Sequence, residues 1–249
     1  MLLLQVQNII KELFGDSVVA MYLYGSAVLG GLQKNSDMDI LAVSSVEICD
    51  EVRRTLTEKL MQISGEKGNK QGKRHLELSI VKLDDIVPWK YPPRMLYQYG
   101  EWLRRDIENG VFPQPKDDPD LAVILGQICR HGITLFGKDA AQLLQSVPAG
   151  DVKKAMVYFL PELVENVIGE EQHALLTLSR MWATVETGDF FPKDKAAEWA
   201  AARLPEEYRE LLNLAAKAYR GECEVDWKLY NKKTIQLAEL LKTKILTTE

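Results

Sequence analysis

Asp37 and Asp39 stand two residues apart in a β-like run, so the alternation of a strand sends both carboxylates to one face and Met38 and Ile40 to the other. Converging carboxylates suit a hard divalent cation: magnesium takes oxygen ligands in near-octahedral geometry, keeps several waters and completes its shell from substrate phosphates. An Asp-x-Asp pair is also common as an edge-strand or turn feature, so its weight depends on its surroundings. Upstream, the apolar run from Val19 to Tyr24 leads into Gly25-Ser26, a short helical piece, and Asn35-Ser36 directly before Asp37. A glycine there lets the backbone approach a phosphate, a helix N-terminus offers free N–H groups, and Ser26 adds a hydroxyl. Downstream, Leu76, Leu78 and Ile80 share one face of a strand-like run and Glu77 shares the other with Ser79. If that strand pairs beside the Asp37 strand, Glu77 becomes the third acid of the set, able to ligate metal and to take a proton from an attacking hydroxyl. Singly, each feature reads as a turn or a solvent-facing acid; together they describe a metal site beside a phosphate cradle.

Such a set needs a sheet beneath it, and the first half of the chain offers one. Strand patterns cover residues 18–24, 37–43 and 75–81, with a helical stretch at about 47–63 and a Gly/Lys-rich turn at 65–73. Two Pro-rich segments, 88–93 and 113–119, read as loops, and 118–131 reads as a helix closed by Gly132. The pattern changes at Val147-Pro148-Ala149-Gly150-Asp151, a turn followed by an N-cap candidate in Asp151. Beyond it the helical period holds over 151–168 with Pro161 inside, 170–187 ended by Gly188, 193–204, 205–220 ended by Gly221, and 226–246. The expected fold is α+β: a catalytic domain of mixed sheet and helices over residues 1–147, then an all-α helical bundle over 148–249.

Composition narrows the partners. The net charge of -5 disfavours the phosphate-neutralising surface that nucleic-acid binding needs and suits a cationic small molecule better. Cys49, Cys129 and Cys223 are odd in number, far apart and without a Cys-x-x-Cys pair, so neither a disulfide framework nor a thiolate zinc site is indicated, and a reducing cytoplasm is expected. The start reads as an amphipathic helix through Leu2, Val6, Ile9, Ile10 and Leu13, and no stretch approaches the roughly 20 apolar residues of a membrane span. No membrane partner and a monomeric state are expected.

An apolar strand, Gly-Ser, Asp-x-Asp eleven residues on and an acid on a later strand resemble the polymerase-β-like nucleotidyltransferase superfamily. More specifically, Tyr22-Leu23-Tyr24-Gly25-Ser26-Ala27-Val28, Gly30-Gly31-Leu32, Asn35-Ser36-Asp37-Met38-Asp39, Val87-Pro88-Trp89, Tyr91-Pro92-Pro93 and Gly100-Glu101-Trp102-Leu103 are similar to the aminoglycoside adenylyltransferases. The similarity runs on through Leu176 to Arg180, Pro192-Lys193-Asp194, Ala197-Glu198-Trp199 and Tyr219-Arg220-Gly221-Glu222, so it covers nearly the whole chain. It implies AMP transfer from ATP with two magnesium ions, Asp37 and Asp39 as ligands, and Glu77 as base and ligand. It also implies that Gly25, Ser26 and Ser36 meet the nucleotide phosphates, and that Arg180, Lys193 and Tyr219 reach ATP from the helical domain; by residue type alone the last three would be surface charges and a packing aromatic.

For the acceptor, the resemblance makes Trp102 the antibiotic-contacting tryptophan, with Glu77, Glu170 and His173 as further contacts; carboxylates suit protonated amines, while a lone helical His is more often a packing or surface residue. Members that also take streptomycin are expected to have a longer connection before the helix that starts near Glu170, with a tryptophan and an extra acid. Here residues 160–169 run Leu-Pro-Glu-Leu-Val-Glu-Asn-Val-Ile-Gly, without an aromatic, and Glu162 and Glu165 face solvent as readily as a site. The expected acceptor is therefore spectinomycin and not streptomycin. Competing expectations are a dual streptomycin/spectinomycin enzyme, AMP transfer to another acceptor, and a catalytically silent nucleotide-binding module.

Overall fold

The computed structural model describes residues 2–30, 36–66, 68–69 and 72–248. Gly31, Leu32 and Asn35 of the motifs above, and part of the 65–73 turn, lie outside the described residues. The chain divides into two compact units, Met1–Val147 and Pro148–Glu249.

In the first unit α1 (Leu2–Phe14) is followed by β1 (Val18–Tyr24), α2 (Ser26–Leu29), β2 (Met38–Ser44), α3 (Asp50–Ile63), β3 (Leu76–Lys82) and α4 (Leu83–Ile86). Then come β4 (Arg94–Met95), β5 (Tyr97–Tyr99), α5 (Arg104–Glu108), β6 (Lys116–Asp117), α6 (Asp120–His131), β7 (Ile133–Gly137) and α7 (Ala140–Leu143). Five strands form one sheet in the order β5-β3-β2-β1-β7, and β4 pairs with β6 separately. Within the sheet only β2 and β3 run parallel, and α3 is the crossover that parallel neighbours require.

Strand alternation sorts the core into two layers. Ile40, Ala42, Leu76, Leu78 and Ile80 pack with Val6 and Ile10 of α1 and Leu56 and Leu60 of α3. The other face, with Tyr22, Tyr24, Leu41, Val43 and Val81, packs against Leu121, Ile124, Leu125 and Ile128 of α6. Asp39 and Glu77 belong to this second face by parity, at the starts of β2 and β3, so a buried apolar layer backs them from within the same strands.

The second unit is helical: α8 (Ala149–Glu165), α9 (Glu171–Thr187), α10 (Lys193–Ala201), α11 (Glu206–Tyr219) and α12 (Asn231–Thr247). α9 packs against each of the other four, with Leu175, Leu176, Leu178 and Trp182 in one cluster with Leu211, Leu212, Leu237 and Leu241. Gly188 closes α9 in the left-handed region at φ 73°, where a side chain would be strained.

Several local expectations shift. The first bundle helix starts at Ala149 behind Pro148, not at Asp151, whose carboxylate instead accepts a 2.8 Å bond from Lys154 Nζ in the first turn. Pro148 is the cap residue, and its C=O accepts from the Asp151 and Val152 N–H groups at 2.9 and 3.2 Å, which starts the helix. α8 runs through Pro161 to Glu165, so the true connection to α9 is only residues 166–170. The chain from 226 begins with a 3-10 turn, Trp227–Tyr230, capped by Asp226, before α12. The short strands β4 to β7 were not anticipated; β6 lies inside a segment read as loop, since two residues pair too briefly to show a period.

Candidate active site

The register of the sheet builds the acid cluster. Asp39 pairs with Glu77 across the parallel β2–β3 ladder and with Tyr24 across the antiparallel β1–β2 ladder, so the three side chains stand side by side on one face. Asp37 lies one residue ahead of β2, and the Met38 N–H to His75 C=O bond of 2.9 Å ties that entry to the β3 strand. Carboxylate oxygens of Asp37, Asp39 and Glu77 all lie within 4.8 Å of one another. Such a donor set, all hard oxygen and all anionic, fits magnesium.

Three anions so close are unfavourable without a cation, and Glu77 registers it. Burial, then the charges of Asp39, Asp120 and Asp37, push its pKa well above the ordinary glutamate value. Tyr24 O–H donates to Glu77 Oε1 at 3.2 Å, and burial together with the charges of Glu77 and Asp39 keeps that phenol protonated far beyond its ordinary range. The hydrogen bond fixes the orientation of one Glu77 oxygen. Asp120, the first residue of α6, is a contributor that the sequence reading missed; an acid in a helix's first turn ordinarily just complements the helix dipole, so nothing in the sequence singles it out.

Gly25 has a reason for being glycine beyond the one sequence suggests. It sits at φ 70°, ψ -147°, and a Cβ on it would lie 1.7 Å from Asp39 Oδ2. The space a side chain would fill is occupied by a carboxylate of the acid cluster, so the Gly-Ser turn and the acid pair are one packed object. Ser26 begins α2, and its Oγ is buried without a hydrogen-bond partner among the described residues, a state that costs about 1–3 kcal/mol until an acceptor or donor arrives. Ser36 is buried, and its backbone C=O accepts from Arg74.

Trp102 lies in a 3-10 turn, Glu101–Leu103, one residue after β5, and is 48% exposed. Its neighbour Glu101 is buried and takes hydrogen bonds from Ser64 Oγ, Tyr99 O–H at 2.9 Å, and Arg104 Nε and Nη2 at 2.7 and 3.0 Å. Burial opposes the charge on Glu101, but these donors outweigh it and hold the carboxyl below the ordinary glutamate value. A Glu in Gly-Glu-Trp reads from sequence as a surface acid; only the fold reveals the anchor.

In the second unit, Lys193 Nζ lies 5.9 Å from the centroid of the Tyr219 ring, although 26 positions separate them in sequence, because α10 and the end of α11 are adjacent. Arg220 ties the same region together through ion pairs to Asp194 at 3.7 Å, Glu198 at 3.3 Å and Glu222 at 2.5 Å. Arg180 lies half-buried on α9. Glu170 precedes that helix and is exposed, as is His173 in its first turn, whereas the unremarked Glu171 between them is buried. Trp182 is buried and Trp199 half-buried, the two rings meeting edge-on at 5.0 Å. Glu162 and Glu165 are exposed.

Residues 3–103 match the nucleotidyltransferase domain family, and residues 142–244 match the family described as aminoglycoside adenylyltransferase, C-terminal domain. A spectinomycin 9-adenylyltransferase of Staphylococcus aureus is 46% identical over 98% of this chain and 94% of its own length. An aminoglycoside (3'') (9) adenylyltransferase of Escherichia coli is 38% identical over 88% of this chain and 84% of its own length. The crystal structure of spectinomycin adenyltransferase AAD(9) from Enterococcus faecalis, with ATP and spectinomycin, superposes with a TM-score of 0.92 at 33% identity, covering 99% of this chain and 98% of that one. The paired acids, the sheet that aligns them and full-length similarity in both units agree: the chain belongs to the aminoglycoside adenylyltransferase family of nucleotidyltransferases.

Proposed function

We propose that this enzyme transfers AMP from ATP to the 9-hydroxyl of spectinomycin, the reaction by which such a transferase confers resistance. One observation supports it above the others: three carboxylates whose oxygens lie within 4.8 Å of one another on adjacent strands, in a chain similar along its full length to spectinomycin 9-adenylyltransferases. In the reaction the drug's hydroxyl oxygen bonds to the α-phosphorus of ATP, the bond from that phosphorus to the bridging oxygen breaks, and pyrophosphate leaves. The hydroxyl proton passes to Glu77, whose orientation the Tyr24 hydrogen bond sets.

Asp37, Asp39 and Glu77 would hold two magnesium ions, which would neutralise triphosphate charge, polarise the transferring group and favour ionised Glu77. Ser26, with its unused buried hydroxyl, and Ser36 are the phosphate contacts of this reading, with Gly25 keeping the turn close. Arg180, Lys193 and Tyr219 supply charge and an aromatic face for ATP, Lys and Arg being the residues that neutralise phosphate. Trp102, Glu77, Glu170 and His173 meet the drug, the carboxylates facing its protonated amines. The connection of residues 166–170, with neither an aromatic nor room for an insertion, favours compact spectinomycin over streptomycin. The enzyme works as a monomer without nucleic acid; among the described residues no helix is long and apolar enough to cross a membrane.

Pyrophosphate release from ATP, measured against a panel of aminoglycosides with purified protein, tests this reading. Release with spectinomycin supports it; release with none of the drugs, magnesium and ATP being present, defeats it.

A further inference from the structure

We propose that Gly100 is a positioning residue for the antibiotic: by having no side chain it seats the indole of Trp102 in the orientation that receives spectinomycin. The inference rests on the reading of Trp102 as a drug contact. Gly100 is buried between the end of β5 and the 3-10 turn that carries Trp102, with φ -163° and ψ 160°. That is extended backbone, open to any residue, so conformational freedom does not explain a glycine there. Space does. A Cβ on Gly100 would stand 2.2 Å from Cζ3, 2.3 Å from Cη2 and 2.6 Å from Cε3 of Trp102. The benzenoid edge of the indole therefore lies against the Gly100 α-carbon, in the volume a methyl group would take.

The backbone around this contact is held from both sides. Leu103 N–H donates to Gly100 C=O at 3.0 Å and closes the turn. Between them, buried Glu101 is fixed by Ser64, Tyr99 and Arg104, and Ser64 Oγ also accepts from Leu76 N–H at 3.1 Å, one residue before Glu77. The turn bearing Trp102 is thus fastened to the strand that bears Glu77. With the backbone fixed and the ring lying on Gly100, a tryptophan that is nearly half exposed is nevertheless confined. An aromatic platform held before its ligand arrives loses little rotational freedom on binding, which is where preorganisation gains affinity.

A substitution at Gly100 acts through the ring and not through the backbone: the methyl of alanine turns the indole aside while leaving the extended conformation allowed. The test is a cycle of Gly100→Ala, Trp102→Ala and the double variant, with kcat and KM for spectinomycin, KM for ATP and Tm measured on each. We expect Gly100→Ala to raise the spectinomycin KM about three- to tenfold, the size of one lost aromatic contact, with the ATP KM unchanged. Trp102→Ala raises it at least as much, and in the Trp102→Ala background the Gly100 change adds nothing. An unchanged spectinomycin KM in Gly100→Ala, while Trp102→Ala raises it, overturns the inference and leaves Trp102 as a drug contact. Equal effects of Gly100→Ala in both backgrounds also overturn it, since the glycine would then act without the ring. An unchanged KM in Trp102→Ala refutes the drug-contact reading itself and the inference with it. If Gly100→Ala fails to fold alone but folds beside Trp102→Ala, the steric relation is upheld; if neither folds, it is refuted.

Discussion

Glu77→Gln separates what the acid cluster does for chemistry from what it does to the fold. Glutamine keeps the shape of Glu77 and the oxygen that accepts from Tyr24, and removes only the charge and the basic site. Two unit charges no more than 4.8 Å apart repel by about 3 kcal/mol at an effective dielectric of about 20, and Glu77 has both aspartates inside that distance. It escapes much of this by staying protonated above its ordinary value, so the gain on removal at pH 8 is smaller than that repulsion, and its sign is a higher Tm for the variant. The pH dependence fixes the sign. The folded pKa is raised, so the folded protein keeps a proton that the unfolded chain releases near the ordinary value of 4.5. Wild-type stability from this group is therefore complete below about pH 4.5, falls as pH climbs toward the folded pKa, and is at its lowest above it. Calorimetric melts of both proteins in chelator from pH 5 to 8.5 should show the variant melting higher at pH 8 and the difference closing toward pH 5, while pyrophosphate release falls about 10²- to 10⁴-fold. A variant that melts lower than wild type at every pH, or that turns over near the wild-type rate, would refute the reasoning.

Asp37→Asn and Asp39→Asn should each abolish metal-dependent AMP transfer while the metal-free Tm holds or rises, as scanning calorimetry in chelator would show; a large fall in both would mark the pair as structural. Gly25→Ala should lower Tm, because φ 70° strains an L-residue by about 1–3 kcal/mol, and should remove activity by displacing Asp39 Oδ2, checked by melting and pyrophosphate assay together. Lys193→Ala should weaken ATP about tenfold in a calorimetric titration with Tm nearly unchanged, since the lysine is half-buried against Tyr219 and its charge is its contribution; unchanged affinity would return it to the protein surface.

The parts of the fold that sequence revealed are those with a long period or a two-sided pattern. β1 has the limits its apolar run indicates, 18–24, and β2 is displaced by only one residue from 37–43, because strand alternation with buried neighbours leaves little freedom of register. The meeting of Asp37, Asp39 and Glu77 was legible in the same way, from parity along two strands, although their pairing register was not. β5 and β7 went unseen. Tyr97–Tyr99 is too short for a period, and Ile133–Gly137 follows a helix whose closing glycine hid the strand start. Charge at the site escaped for another reason: Asp120 reaches Glu77 through the placement of α6 on the sheet, and Glu101 is held by three partners, Ser64, Tyr99 and Arg104, neither of which local sequence encodes. Gly25 was recognised as special, but the atom that demands it, Asp39 Oδ2, is 14 residues away.

AMP transfer to spectinomycin is tested most directly by the mass of the drug after incubation with the enzyme, ATP and magnesium, with streptomycin in a parallel reaction at equal concentration. The expected result is spectinomycin heavier by one AMP, modified at its 9-hydroxyl, one pyrophosphate released per drug, and streptomycin unchanged. Spectinomycin of unaltered mass would contradict the assigned reaction, and adenylylated streptomycin would show that the short connection before α9 does not set the choice of acceptor.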